Sequence, residues 1–174
     1  MDGIKRQHNI LAQLGIDPKA AYGYSVIEPL NTLRKDGVRE VAKFLALPPE
    51  ISQRIPFPGP ALATRIVGEV TPERLKTVRA ATTIVEEELA DSGAFQYMAV
   101  LLSDRATGIR NNKREFGSII VVRCIESTDA RTATVTPLSW DTLNRISERI
   151  TRIDGVNRCL YDLTPKPPAT IEYV

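Results

Sequence analysis

The side chains able to do chemistry are few, and their spacing excludes most catalytic sets. His8 is the only histidine, which rules out a histidine-based metal cluster. The two cysteines, Cys124 and Cys159, lie 35 residues apart, too few and too distant for a zinc or redox motif. No stretch fits a phosphate loop of the G-x-x-x-x-G-K-[ST] type, a dinucleotide G-x-G-x-x-G or a nucleophile elbow G-x-S-x-G. What remains is charge. Arg105, Arg110, Lys113 and Arg114 fall within one short basic loop. The basic loop could face nucleic acid, but a net charge of only +2 and the lack of an aromatic stacking set weigh against that use.

The elements that must position these residues fall into two unlike parts. The composition, 43% hydrophobic and 25% charged over 174 residues, is that of a soluble globular protein of one domain or two small ones. No apolar run approaches the ~20 residues of a membrane span. The N-terminal stretch has no signal-peptide core, so the cytoplasm is the expected compartment. Tyr24 to Leu30 reads as a short buried strand, and a helix is expected from Asp36 to about Leu47, with Val38, Val41, Ala42 and Leu45 on its apolar face. Pro48-Pro49 stops it, and Ile51 to Ile55 is expected to add one turn. Such a strand–helix unit cannot cover its own edges and must pack on something else. Pro56-Phe57-Pro58-Gly59-Pro60 then reads as a stiff connector.

From Arg65 the pattern is regular. A strand over 65–70 is followed by a helix from Pro72 to about Ala90, capped by Thr71. Strands over 95–102 and 116–125 are joined by the basic loop, and Ser139 caps a second helix bearing Leu143, Ile146, Ile150 and Ile153. Further strands are expected over 156–163 and 169–173. The order β-α-β-β-α-β-β predicts an α+β domain, with two helices on one face of a mainly antiparallel sheet.

Three strings carry a resemblance: Ile55-Pro-Phe-Pro-Gly-Pro-Ala-Leu62, Arg65-Ile-Val-Gly-Glu-Val70 and Tyr161-Asp-Leu-Thr-Pro-Lys-Pro-Pro-Ala-Thr-Ile-Glu172. Together they resemble GMP synthase, in the C-terminal part of its ATP-pyrophosphatase subunit as found in the separate archaeal subunit. The similarity extends through Ile4-Lys-Arg-Gln-His-Asn9, Ile27-Glu-Pro-Leu30, Lys35-Asp36 with Val38-Arg39, and Glu126-Ser-Thr-Asp129. The resemblance implies that residues 1–55 are the tail of an ATP-pyrophosphatase-like α/β domain, 56–64 the connector, and 65–174 a dimerisation domain that binds xanthosine monophosphate (XMP). The family activates XMP with ATP and Mg²⁺, and ammonia then displaces AMP to give GMP. Its implied partners are therefore a second copy, an ATP-pyrophosphatase half, a glutamine amidotransferase that supplies ammonia, and XMP itself, with no membrane involved. Lys5 matches a lysine of a mobile lid, with His8, Lys35, Asp36 and Arg39 in matching lid and interdomain stretches. Lys166 and Glu172 match residues that hold XMP, and Arg114 and Asn112 lie in the loop that reaches it. The chain itself is expected to hold no cofactor or metal, with ATP and Mg²⁺ entering only in a complete complex.

The departures fall on the ligand-facing side. The family's S-G-G-x-D-S phosphate loop is not in this sequence, so the chain alone is expected to be inactive. K-S-H-H-N is here Lys5-Arg6-Gln7-His8-Asn9, K-D-E-V-R has Gly37 for its glutamate, and P-F-P-G-P-G ends in Ala61. The XMP loop V-G-V-Q-G-D is Thr107-Gly108-Ile109-Arg110-Asn111-Asn112, which replaces an aspartate by Asn112 and adds Arg110 as a candidate phosphate contact. Two functions fit: a component of GMP synthesis that needs partners for ATP and ammonia, or a non-catalytic dimeric paralogue acting as a nucleotide sensor or scaffold.

Overall fold

The computed structural model describes residues 15–25, 27, 29–30, 32–33, 35–52, 60–128 and 130–173. Two compact units divide the chain, residues 1–53 and 54–174.

In the first unit, α1 (Pro18–Tyr22) starts at Asp17, whose carboxylate accepts from Lys19 N at 2.9 Å, and ends at Gly23 with φ 76°. Helix α2 (Lys35–Phe44) half-buries Val38, Val41 and Ala42 as expected. It ends three residues early: Ala46 is left-handed at φ 53°, and Leu45 is exposed. The residue before a proline is driven from the helical region, which places the stop ahead of Pro48. Helix α3 (Pro49–Ser52) supplies the extra turn. The strand expected over 24–30 is absent among the described residues, where Ile27 is 84% exposed. A strand needs a partner strand, and the described residues of this unit provide none. Residues 56–59 of the connector lie outside the described residues.

The second unit opens with a 3₁₀ turn (Pro60–Arg65). The strand expected over 65–70 shrinks to one bridge, Ile66 to Leu101, because Gly68 (φ 96°) turns the chain away. The Arg74 guanidinium locks that turn, donating to the carbonyls of Val67, Glu69 and Leu102, each at 2.9 Å. Helix α4 (Pro72–Leu89) buries Val78, Ala81, Thr82, Val85 and Leu89, one stripe at helical spacing. Then come β1 (Gln96–Arg110), β2 (Lys113–Glu126), a two-residue β3 (Thr134–Val135) that was not expected, α5 (Trp140–Thr151) and β4 (Val156–Tyr161).

Strand β2 is the centre of the sheet. It pairs antiparallel with β1 on one side; on the other it takes β3 antiparallel at Ile125–Glu126 and β4 parallel over Ser118–Val122. Helices α4 and α5 cover one face, where Ala99, Leu101, Ile120, Val122 and Cys124 meet Val78, Val85, Ile146 and Ile150. Alternate residues Met98, Val100 and Val121 are buried on the opposite face, against Val67 and Leu102. Both faces are thus covered over this part of the sheet.

The basic loop is not a loop. Both strands run on to Arg110 and Lys113, leaving Asn111-Asn112 as a two-residue turn with φ 50° and 59°. Positive φ at both central residues matches the twist of a hairpin, and asparagine tolerates it better than most residues. A register shift between Leu101 and Arg105 separates the buried half of the hairpin from this polar half. No strand forms over 169–173; the tail makes a single bridge from Lys166 to Ala133.

Candidate functional site

The tail is pinned to the sheet by arginines in otherwise apolar surroundings. Arg123, 1% exposed near the end of β2, donates to Asp162 Oδ2 at 2.6 Å and to the carbonyls of Thr164 (2.8 Å) and Thr170 (3.0 Å). Burial alone would raise the Asp162 carboxyl. The Thr164 hydroxyl and backbone N–H, together with Arg123, instead hold it below its ordinary value. Lys166 exchanges main-chain hydrogen bonds with Ala133, and its Nζ donates to Ala130 O at 2.7 Å. Beyond it, Glu172 Oε1 accepts from Gln96 Nε2 at 2.7 Å and faces Arg65 Nη2 at 3.5 Å. Residues 162–172 therefore form an ordered strap rather than a solvated tail.

The other set lies at the hairpin tip. Asn112 and Arg114 line an open cleft of about 810 Å³ with Thr107, Ile109, Asn157 and Arg158. Arg158 is tied to Thr107 O at 3.2 Å. Arg110 does not turn into this cleft as a free cation. Its Nε donates to Glu115, and its Nη2 reaches the carbonyls of Thr151 at the end of α5, Ile153 in the turn and Val156 at the start of β4, each at 3.2 Å. A cation there satisfies orphan carbonyls and the negative end of the helix dipole.

Among the expected site residues, Lys166 and Glu172 share the strap, and Asn112 and Arg114 share the hairpin tip. The two pairs sit toward opposite ends of β2, separated by roughly 35 Å of strand at about 3.3 Å per residue. Arg39 is half-buried on α2. Lys5, His8 and the side chains of Lys35 and Asp36 lie outside the described residues. Burial pushes the Cys159 thiol up to about 11 and raises Cys124 as well, so neither offers a thiolate nucleophile near neutral pH.

Residues 83–173 match the GMP synthase C terminal domain. The chain belongs to this family. It is 55% identical over 172 residues to the B-subunit of glutamine-hydrolyzing GMP synthase from Archaeoglobus fulgidus, covering 98% of this chain and 55% of that protein. Against the corresponding GMP synthase chains of Methanocella arvoryzae and Pyrococcus horikoshii the identities are 51% and 48% over 173 residues, covering 98% of this chain and 55% and 54% of theirs. The chain thus spans about half the length of the curated relatives it matches.

Little in the sequence marks the residues that hold the strap. Arg123 had a signal: it is one cation inside the apolar run Ile119–Ile125, and a buried guanidinium needs an acceptor set. Gln96, at the start of β1, had none.

Proposed function

We propose that this chain supplies the XMP-binding, dimer-forming part of a GMP synthase, working with partners that provide ATP chemistry and ammonia. The observation that carries this is the strap. The string from Tyr161 to Glu172 is ordered on the sheet of a chain about half identical, over nearly all its length, to archaeal GMP synthase chains. In this reading the Lys166 ammonium meets the nucleotide phosphate in place of Ala130 O. The Glu172 carboxylate accepts from a purine N–H or a ribose hydroxyl. ATP with Mg²⁺ activates XMP, ammonia displaces AMP, and GMP results. In this reading ATP and Mg²⁺ belong to the complete complex and not to this domain.

One nucleotide cannot span the roughly 35 Å between the strap and the hairpin tip of one copy. If Arg114 and Asn112 also serve XMP, they serve the strap of a second copy. A closed two-fold dimer meets that need twice, with each site built from one strap and the other copy's hairpin.

Calorimetry with XMP and light scattering after size exclusion test the reading. The wild-type chain should run at twice its monomer mass and bind XMP, and Lys166→Ala should weaken binding at least about tenfold. A monomer, an unchanged affinity in Lys166→Ala, or no purine mononucleotide bound at millimolar concentration would refute it.

A further inference from the structure

We propose that Arg123 is a positioning residue for Lys166: its planar fork clips both legs of the strap and fixes where the Lys166 ammonium stands to meet a nucleotide phosphate. That ligand rests on the XMP reading above.

The strap leaves the sheet after β4 and turns back on itself. Its outgoing leg runs from Asp162 to Lys166 and its returning leg from Ala169 to Glu172. Between them Ala169 N donates to Pro165 O at 3.0 Å and closes the turn. One guanidinium holds both legs. Nη1 donates to Asp162 Oδ2 and Thr164 O on the way out, and Nη2 donates to Thr170 O on the way back. Lys166, half-buried, lies between these holds. A planar fork sets the spacing and angle of the two legs, which a single ammonium in its place would not do.

As a stability device the arrangement is poor. The Arg123 and Asp162 side chains are 1% and 10% exposed, and taking both charges out of water offsets much of their attraction. Arg123 Nε is buried without a hydrogen-bond partner among the described residues, which costs more. What the fork contributes is one fixed register for the strap. The far end does not depend on it, because Glu172 has its own donors in Gln96 and Arg65. Loss of the fork therefore falls on the turn that carries Lys166. A lysine rooted in a fixed turn gives up less freedom when it meets a phosphate, and binds it more tightly.

The test is a double-mutant cycle on the full chain, read by XMP calorimetry with Arg123→Lys, Lys166→Ala and the double variant. Arg123→Lys keeps the charge and gives up the fork, and it should weaken XMP binding about tenfold. The double variant should bind no more weakly than Lys166→Ala alone, because Arg123 acts through Lys166. Amide hydrogen exchange without ligand should be faster at Lys166 and Ala169 in Arg123→Lys and unchanged across the β1–β2 pairs. Additive losses in the cycle, or unchanged exchange at Lys166 and Ala169, would overturn the positioning role while leaving XMP binding itself in place. Failure of the wild-type chain to bind XMP would instead remove the proposed function, and this proposal's ligand with it. Asp162→Asn, which withdraws the anion from the outgoing leg, closes the same cycle should Arg123→Lys fail to fold.

Discussion

Asn157 decides which residues the polar half of the hairpin can carry. With its amide oxygen on Gly117 N (2.9 Å) and its nitrogen on Glu115 Oε1 (2.7 Å), its side chain fills the space above two glycines. A Cβ on Gly108 would come within 2.7 Å of Asn157 Cγ; one on Gly117 would meet the same atom at 2.5 Å and Gly155 O at 2.7 Å. Gly108→Ala should therefore destabilise the domain by about 1–3 kcal/mol, and adding Asn157→Gly, which removes both the Cγ and the Cβ at 2.9 Å, should recover much of that loss. Gly117→Ala should not be recovered in the same way, because the Gly155 carbonyl stays. Urea midpoints of the five variants check both statements.

Between elements, two arginine contacts tie α5 to its neighbours. Arg110 gathers the carbonyls of Thr151 at the helix end, Ile153 in the turn and Val156 of β4, so Arg110→Met should cost about 1–3 kcal/mol, read as a lower urea midpoint with an unchanged slope. Along the length of α5 Arg149 and Arg145 grip Glu88 of α4 at 2.8 and 3.0 Å and hold that carboxyl below its ordinary value. A folded-state pKa below the unfolded one gives stability that is present above the unfolded value, about 4.3 for glutamate, and lost as pH falls through the folded value. The stability gap between wild type and Glu88→Gln should therefore narrow in that acid window and stay constant from pH 6 to 8.

The same elements show what the sequence makes legible. Helices α4 and α5 are clear because Val78, Val85, Ile146 and Ile150 recur at helical spacing, and Thr71 and Ser139 mark their starts. The outer hairpin is not clear, because a strand whose residues are polar on both faces carries no period-two hydrophobic signal. The strand over 65–70 is shorter than its residues suggest: Ile66 and Val67 look like strand residues, but Gly68 and the Arg74 clamp turn the backbone after one bridge. At the site, the family strings point to Lys166 and Glu172. The buried arginines behind them belong to the tertiary structure, where one cation in a strand acquires its partner from 39 residues away.

For the whole molecule, the separation of strap and hairpin tip is what constrains function most. Two copies are needed wherever both contribute to one nucleotide, and that arrangement makes a prediction that single-chain binding does not. Arg114→Ala and Lys166→Ala should each abolish most XMP binding alone, one by damaging the hairpin and the other the strap. Mixing them in equal amounts and letting the copies exchange gives half heterodimers, each with one intact site assembled from the undamaged parts of both chains. Calorimetric titration of the mixture should recover wild-type affinity at about a quarter of all sites. If the mixture binds no better than its components, the strap and hairpin do not build one site across two copies, and the account is contradicted.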